Sequence, residues 1–174
     1  MMGFLIPIAL VAASPQFPSY FNDEQRSIGA RIIDHATASG EDPYVLMAIA
    51  WKESRIEAGK VSSTGDVGIF QINWKFWGSR TWGYRSYDDF VEDMNRPELA
   101  AAAAIAVLQE MRRYKACQGD NLMACYNGGP SWMLSSNVDK IAEYARDANV
   151  IRRRYAKQFK GWKKRAENEE AVCH

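Results

Sequence analysis

The pattern of apolar and polar positions predicts helices along most of the chain. Asn22 or Asp23 can cap a first helix that runs to about Ser39, where Gly40 ends it. Helical signals return in four further stretches, and only one short stretch has the pattern of strands. The sequence therefore predicts a mainly α fold with a minor β element.

Two of the predicted helices have no polar face. Asp42 and Pro43 form an N-cap followed by proline at the first helical position, and residues 44–51 are then apolar throughout. A second such helix begins near Pro97 and remains apolar over residues 99–108. A helix without a polar face is buried on all sides, so the domain is expected to form around a buried central helix.

The last two predicted helices differ in length. Asp120 can cap a short helix through Tyr126, which the Gly-Gly-Pro sequence at residues 128–130 stops. From Asp139 onward, apolar residues recur at steps of three and four, which predicts a long amphipathic helix with a basic opposite face. The apolar positions of this helix are Ile141, Tyr144, Ala148, Ile151, Tyr155, Phe159 and Trp162.

Residues 62–73 carry the β signal. A turn at Gly65 and Asp66 precedes a short β-branched and aromatic segment, which predicts a small hairpin. The apolar positions of this segment are Val67, Ile69, Phe70 and Ile72.

Composition places the 174 residues in one globular domain, because 47% of them are hydrophobic and no repeat or low-complexity tract interrupts them. The net charge of +1 conceals an uneven distribution. Residues 1–144 carry 13 basic and 17 acidic residues, whereas residues 146–165 carry nine basic residues and one acid. A mildly acidic body therefore ends in a basic helix.

The basic helix has three interpretations. It is a solvated helix face, or a surface that binds anionic wall polymer or membrane with Phe159 and Trp162 as apolar anchors. Nucleic-acid binding is the third and is disfavoured, because no residue pattern here reads base sequence.

The amino terminus contains an uncharged apolar run over residues 4–13. The run ends in small residues, as a signal-peptidase site requires, and is too short to span a bilayer. Pro7 interrupts it, however, and the first basic residue is Arg26. It is either an export signal or a retained hydrophobic segment that packs on a partner or membrane.

The chain contains three cysteines and two histidines. Cys117 and Cys125 flank a loop short enough for a disulfide in an oxidising compartment, and Cys173 is left over. His35 and His174 are too few and too widely separated for a metal site. We expect neither a metal nor a cofactor.

Glu53 is the candidate for chemistry. It stands at the end of the apolar helix, where partial desolvation would raise its pKa and keep it protonated near neutral pH, as a general acid requires. The alternative is that the helix simply becomes polar where it reaches the surface.

Four motifs that follow one another along the chain favour a catalytic role for Glu53 over a merely polar helix end. They resemble those of the lytic transglycosylases of the soluble-lytic-transglycosylase type, in the lysozyme-like superfamily. The resemblance covers about residues 44–150. The matching positions are Glu53 and Ser54, then Ser62, Gly65, Gly68 and Gln71, then Tyr126, Asn127 and Gly129, and finally Tyr144.

The resemblance implies an α+β lysozyme-like fold and cleavage of the β-1,4 bond between N-acetylmuramic acid and N-acetylglucosamine in peptidoglycan. Glu53 would first act as the acid and then as the base, which leaves a 1,6-anhydro product. Ser62 and Gln71 would bind the sugar, and Tyr126 and Tyr144 would orient Glu53.

Two positions depart from the family pattern. Phe70 stands where the family has Met, so the substrate wall stays apolar but changes shape. Asp66 matches the second catalytic carboxylate of chicken-type lysozymes, so a hydrolase that uses Glu53 and Asp66 is the alternative.

An aromatic cluster follows the hairpin. Glycan strands present apolar sugar faces, so these rings either line a groove for glycan or form the core of their own loop. We expect Trp74 and Trp77 to bind substrate, together with Phe70, Tyr126, Asn127 and Tyr144. The cluster is Trp74, Phe76, Trp77, Trp82, Tyr84, Tyr87 and Phe90.

These features predict three regions: a hydrophobic segment over residues 1–20, a lysozyme-like transglycosylase domain over residues 21–150, and a basic helical extension over residues 151–174. Glycan strands are the expected partner, and virion or secretion-apparatus proteins would bind either end. The expected location is the periplasm or cell envelope, reached by export or in a virion. A second alternative is an inactive module that docks on the wall.

Overall fold

The computed structural model describes residues 17–172, with side chains described as far as residue 158. Its helices are α1 (Asp23–Ala38), α2 (Pro43–Ser54), α3 (Tyr87–Asn95), α4 (Pro97–Arg112), α5 (Leu122–Gly128) and α6 (Val138–Val172). Strands β1 (Asp66–Val67) and β2 (Ile72–Asn73) form an antiparallel hairpin, and a π-helix (Trp74–Thr81) follows it. Short 3₁₀ turns span Lys115–Cys117, Gly119–Asn121 and Trp132–Leu134. The predicted mainly α, lysozyme-like class with a small hairpin is confirmed.

Helix α2 is the central element. The Asp42 side chain accepts a hydrogen bond from the Tyr44 N–H, and Pro43 occupies the first turn, as the sequence predicts. Residues 45–50 are all buried, because α1, α4 and α6 pack around them. This packing carries the end of α2, and therefore Glu53, to a fixed place beside the hairpin.

One local prediction is wrong and another is right only in part. Asp120 does not cap α5, since it lies in a 3₁₀ turn where its backbone oxygen accepts a hydrogen bond from Asn149 Nδ2 at 3.0 Å. The predicted turn does precede β1, because the Gly65 N–H donates to the Ser62 backbone oxygen at 3.1 Å. Asp66, however, belongs to strand β1, and the turn between the two strands spans residues 68–71.

Helix α6 continues without a break across residue 150, where the sequence places a domain boundary. Arg152 forms an ion pair with Asp42 at 2.8 Å, and Tyr155 is buried against Phe21. The folded body therefore reaches at least Tyr155. The proposed anchors Phe159 and Trp162, and most of segment 1–20, lie outside the described side chains.

Within residues 17–172, none of the helices combines the length and the apolar character that a bilayer crossing demands.

Candidate functional site

A cavity of about 590 Å³ opens where the end of α2, the hairpin, α4 and α5 meet. It brings together six of the residues that the sequence singles out: Glu53, Ser62, Asp66, Gln71, Tyr126 and Asn127. Trp77 and Phe76 form an aromatic side of the same cavity, and Val107 and Met111 of α4 contribute to its lining. The lining thus combines carboxylate and amide groups with aromatic rings.

The Glu53 carboxyl is mostly buried and has a specific partner. Tyr144 Oη donates a hydrogen bond of 2.6 Å to Glu53 Oε1. Burial is the main cause that raises the pKa of Glu53 to about 7; the Tyr144 hydrogen bond lowers it, nearby Asp66 raises it and Lys52 lowers it. At neutral pH the carboxyl therefore exchanges readily between its protonated and ionised forms.

Both tyrosines of the motif set border this carboxyl. Burial, followed by the charge of Glu53, raises the pKa of Tyr126 and of Tyr144 well above its usual value, so both phenols remain neutral donors. Tyr126 Oη donates to the Phe70 backbone oxygen at 3.0 Å, which joins α5 to the turn of the hairpin. Tyr144 therefore hydrogen-bonds the carboxyl of Glu53, whereas Tyr126 stabilises the cavity wall through its hydrogen bond to Phe70.

Ser54 fixes the direction in which Glu53 leaves α2. It is buried, its Oγ donates to the Ile69 backbone oxygen at 2.7 Å, and it accepts from the Glu57 N–H at 3.1 Å. Arg55 then ends the helix in the left-handed conformation with φ 64°. The sequence identifies Ser54 only as a motif residue. Its structural role depends on the hydrogen bond to Ile69, which is distant in sequence.

Lys52 is a neighbour of the site that sequence reasoning missed. Its Nζ lies 2.8 Å from Asp147 Oδ2 and 5.4 Å from the centre of the Tyr144 ring. The Lys52 ammonium therefore lies over the face of the Tyr144 ring, and the hydroxyl of that ring donates the hydrogen bond to Glu53. No local pattern predicts this arrangement, because Asp147 and Tyr144 belong to α6.

Asp66 is held firmly within the hairpin. Its carboxylate accepts hydrogen bonds from Ser62 Oγ at 2.8 Å, Thr64 Oγ1 at 2.6 Å and Asn73 Nδ2 at 2.8 Å. The structure thus places a second carboxylate in the cavity with Glu53, and three donors already bind it.

Gln71 adopts a positive φ of 48° at the end of the turn. Its Nε2 donates to the Gly68 backbone oxygen at 2.8 Å and to the Lys60 backbone oxygen at 3.1 Å, so this amide nitrogen is used within the protein. The sugar-binding roles of Gln71, Ser62 and Asn127 stay predictions.

Three predicted substrate residues lie outside the cavity lining. Tyr144 binds Glu53 instead, and the Phe70 side chain is fully buried although its backbone forms part of the turn. Trp74 packs against Tyr87 and Phe90, with ring centres 5.5 and 5.3 Å apart. The aromatic cluster therefore supplies both a local core and a cavity wall, and Phe76 takes the place on the wall that the sequence assigns to Trp74.

Cys117 and Cys125 form a disulfide, and Cys125 lines the cavity next to Tyr126. Cys173 and His174 lie outside the described residues. Among the described residues, no group of three or more His, Cys, Asp or Glu side chains is arranged to hold a metal ion.

The family model of the transglycosylase SLT domain matches residues 31–147, which is more than half of the chain. The chain belongs to the transglycosylase SLT family, whose domains act on peptidoglycan in the periplasm or cell envelope. Comparisons with curated proteins and with solved structures gave no match. The family's activity is cleavage of glycosidic bonds in peptidoglycan, and the Glu53 cavity is the candidate place for it.

Proposed function

We propose that this protein is a lytic transglycosylase that cleaves the β-1,4 bond between N-acetylmuramic acid and N-acetylglucosamine, with Glu53 as both acid and base. The observation that carries the proposal is a partly buried carboxyl that lines the cavity and accepts a hydrogen bond from Tyr144. Desolvation in this place raises its pKa to about 7. A group that must first donate and then accept a proton works best when its pKa is close to the working pH.

The reaction proceeds in two proton transfers. Protonated Glu53 donates to the glycosidic oxygen while the bond from that oxygen to C1 of the muramoyl residue breaks, with assistance from the 2-acetamido group. The Glu53 carboxylate then takes the proton of the C6 hydroxyl, and O6 bonds to C1. The products are a 1,6-anhydro end and a free 4-hydroxyl, and Glu53 is protonated again.

Hydrolysis by Glu53 and Asp66 is the second candidate, since Asp66 lines the same cavity. The hydrogen bonds from Ser62, Thr64 and Asn73 favour a structural role for Asp66, because they occupy acceptor positions of its carboxylate. The two candidates differ in product, because a hydrolase adds water at C1 and leaves a reducing end.

Product analysis tests the proposal. Purified sacculi are incubated with the full chain, and the released muropeptides are separated by mass. We expect anhydro ends from the wild type; reducing ends would assign the protein to the hydrolase alternative. Asp66→Asn should keep the same product. Thr64→Ala removes a hydrogen bond to the same carboxylate from outside the cavity lining and is the control for damage to the hairpin. Absence of any release from a folded wild type would support the inactive docking module instead.

We further propose that the enzyme opens the wall locally, for phage entry or for a secretion or conjugation apparatus. The small size of the domain supports a local role, and residues 1–20 and the basic end of α6 are the segments that would bind the apparatus or virion proteins. Purifying the protein with its assembly, and repeating this after deletion of residues 1–16, tests the role of the amino terminus.

The role of Tyr144 gives a separate prediction. Tyr144→Phe removes the hydrogen bond that lowers the pKa of Glu53, so this pKa should rise and the alkaline limb of the activity profile should move to higher pH. The rate should fall about tenfold, because Glu53 loses its orienting partner. A pH profile of muropeptide release measures both effects, with the exposed Tyr114→Phe as the control. An unchanged alkaline limb would remove Tyr144 from this role.

A further inference from the structure

A second cavity of about 390 Å³ lies between α5, α6 and the 3₁₀ turn Trp132–Leu134. Helix α5 contributes Ala124 to this cavity and Cys125 and Tyr126 to the catalytic one, so the helix forms a wall of both. The volume suits a small ligand such as one amino acid. None of the motifs discussed above accounts for this cavity.

Charges of both signs line the second cavity. Arg146 and Arg153 stand two turns apart on α6, and Asp120 lies across from them in the turn before α5. Neither arginine makes an ion pair or a side-chain hydrogen bond within residues 17–158, whereas the adjacent Arg152 is bound to Asp42. The two guanidinium groups are thus available to a ligand.

The rest of the lining consists of apolar side chains and two asparagines, Asn121 and Asn149. Trp132 contributes its indole, and the alanines of α6 at positions 142 and 145 contribute methyl groups. The Trp132 Nε1–H is buried and has no acceptor in the described part of the chain. Asn149 is buried between the arginines and binds the Asp120 backbone oxygen, which holds the two sides together.

We propose that this cavity binds a zwitterionic amino-acid group. Arg146 and Arg153 would bind its carboxylate, Asp120 would bind its ammonium, and its aliphatic part would lie against Trp132. Guanidinium pairs favour carboxylates because their planar donors match the two oxygens, and the acid opposite them selects for a cation nearby.

Peptidoglycan offers such a group. Where the stem peptide attached to the muramoyl residue contains meso-diaminopimelate, the end of that residue that is not cross-linked carries an ammonium beside a carboxylate. This source rests on the proposed function, since the glycan in the catalytic cavity would bring the stem peptide to the protein. A free amino acid is the other source of the same chemistry.

Nuclear magnetic resonance on the ¹⁵N-labelled full chain tests the proposal. The indole N–H signal of Trp132, assigned with Trp132→Phe, is followed during titration with the stem tripeptide L-alanyl-γ-D-glutamyl-meso-diaminopimelate and with free meso-diaminopimelate. We expect saturable shifts of this signal. Glutarate lacks the ammonium and cadaverine lacks the carboxylate, so each should bind at least about tenfold more weakly. Stronger binding of the tripeptide than of the free diamino acid identifies the stem peptide as the source, and equal binding identifies the free amino acid.

Matched variants locate the binding. Arg146→Gln and Asp120→Asn should each raise the Kd at least about tenfold, whereas Arg154→Gln, on the same helix but outside the cavity lining, should leave it unchanged. No shift of the Trp132 signal at millimolar ligand, or an equal loss in Arg154→Gln, would overturn the proposal.

Turnover is not needed for this measurement. Release of anhydro products without binding therefore refutes only the second cavity, and binding without release refutes only the proposed function.

Discussion

Glu53→Gln should lower muropeptide release from sacculi by at least about 10³-fold while the fold stays intact, because the amide cannot donate or take up the transferred proton. Glutamine has nearly the same shape, and its side-chain oxygen still accepts from Tyr144. Glu57→Gln is the matched control, since Glu57 follows the same helix and pairs with Lys60 at the surface, outside the cavity lining. Retained release by Glu53→Gln would refute the assignment of the catalytic group.

The same variant has a second expected signature in its stability. Burial raises the pKa of Glu53 from 4.5 in the unfolded chain to about 7 in the folded protein. Between these two pH values the unfolded chain is ionised and the folded protein is still protonated, so rising pH favours the unfolded state. Wild type should therefore lose up to about 3 kcal/mol of unfolding free energy between pH 4.5 and pH 7, a loss that the neutral amide does not share. Urea denaturation should show Glu53→Gln to be more stable than wild type at pH 8 and nearly equal to it at pH 4.

Gly68→Ala should destabilise the protein by more than about 4 kcal/mol, a size reserved for severe backbone or core damage. Gly68 has φ 75°, and an added Cβ would lie 2.1 Å from the Met94 backbone oxygen. The collision is with main chain at the end of α3, and that same oxygen accepts a hydrogen bond from the Ile69 N–H, so it cannot move aside cheaply. Either the hairpin turn or α3 must shift.

Gly65→Ala is the control that separates this collision from backbone strain. Gly65 has φ 84° in the same hairpin, but nothing lies within 4 Å of an added Cβ. Its cost should be that of a left-handed alanine, about 1–2 kcal/mol. Equal losses in the two variants, measured by urea denaturation, would show that contact with Met94 contributes nothing.

Sequence patterns predicted most of the helical fold because its main signals are local. Asn22 and Asp42 cap their helices through residues two or three positions away, and the apolar run of α2 requires burial whatever packs on it. The helix α3 escaped prediction although Ser86 caps it with Asp88 and Asp89 in its first turn. The many aromatic residues that precede it indicated a loop and not a helix.

The sequence predicted which residues form the candidate site, but it predicted less well which side chains face the cavity. Glu53, Tyr126 and Tyr144 meet as the motif order implies. Of the two tryptophans expected to bind substrate, Trp77 lines the cavity and Trp74 does not, because the segment is a π-helix whose wider turn changes which side chains share a face. The contacts of Lys52 with Asp147, and of Ser54 with Ile69, join distant elements and have no local signal.

The disulfide between Cys117 and Cys125 makes the cavity wall depend on the redox state of its compartment. One of its sulfurs belongs to the cavity wall, beside the tyrosine that ties α5 to the hairpin turn. Bonds of this kind form in oxidising compartments and rarely in a reducing cytoplasm. We therefore expect the wall of the cavity to be complete only where these two thiols can oxidise, as they can in the cell envelope.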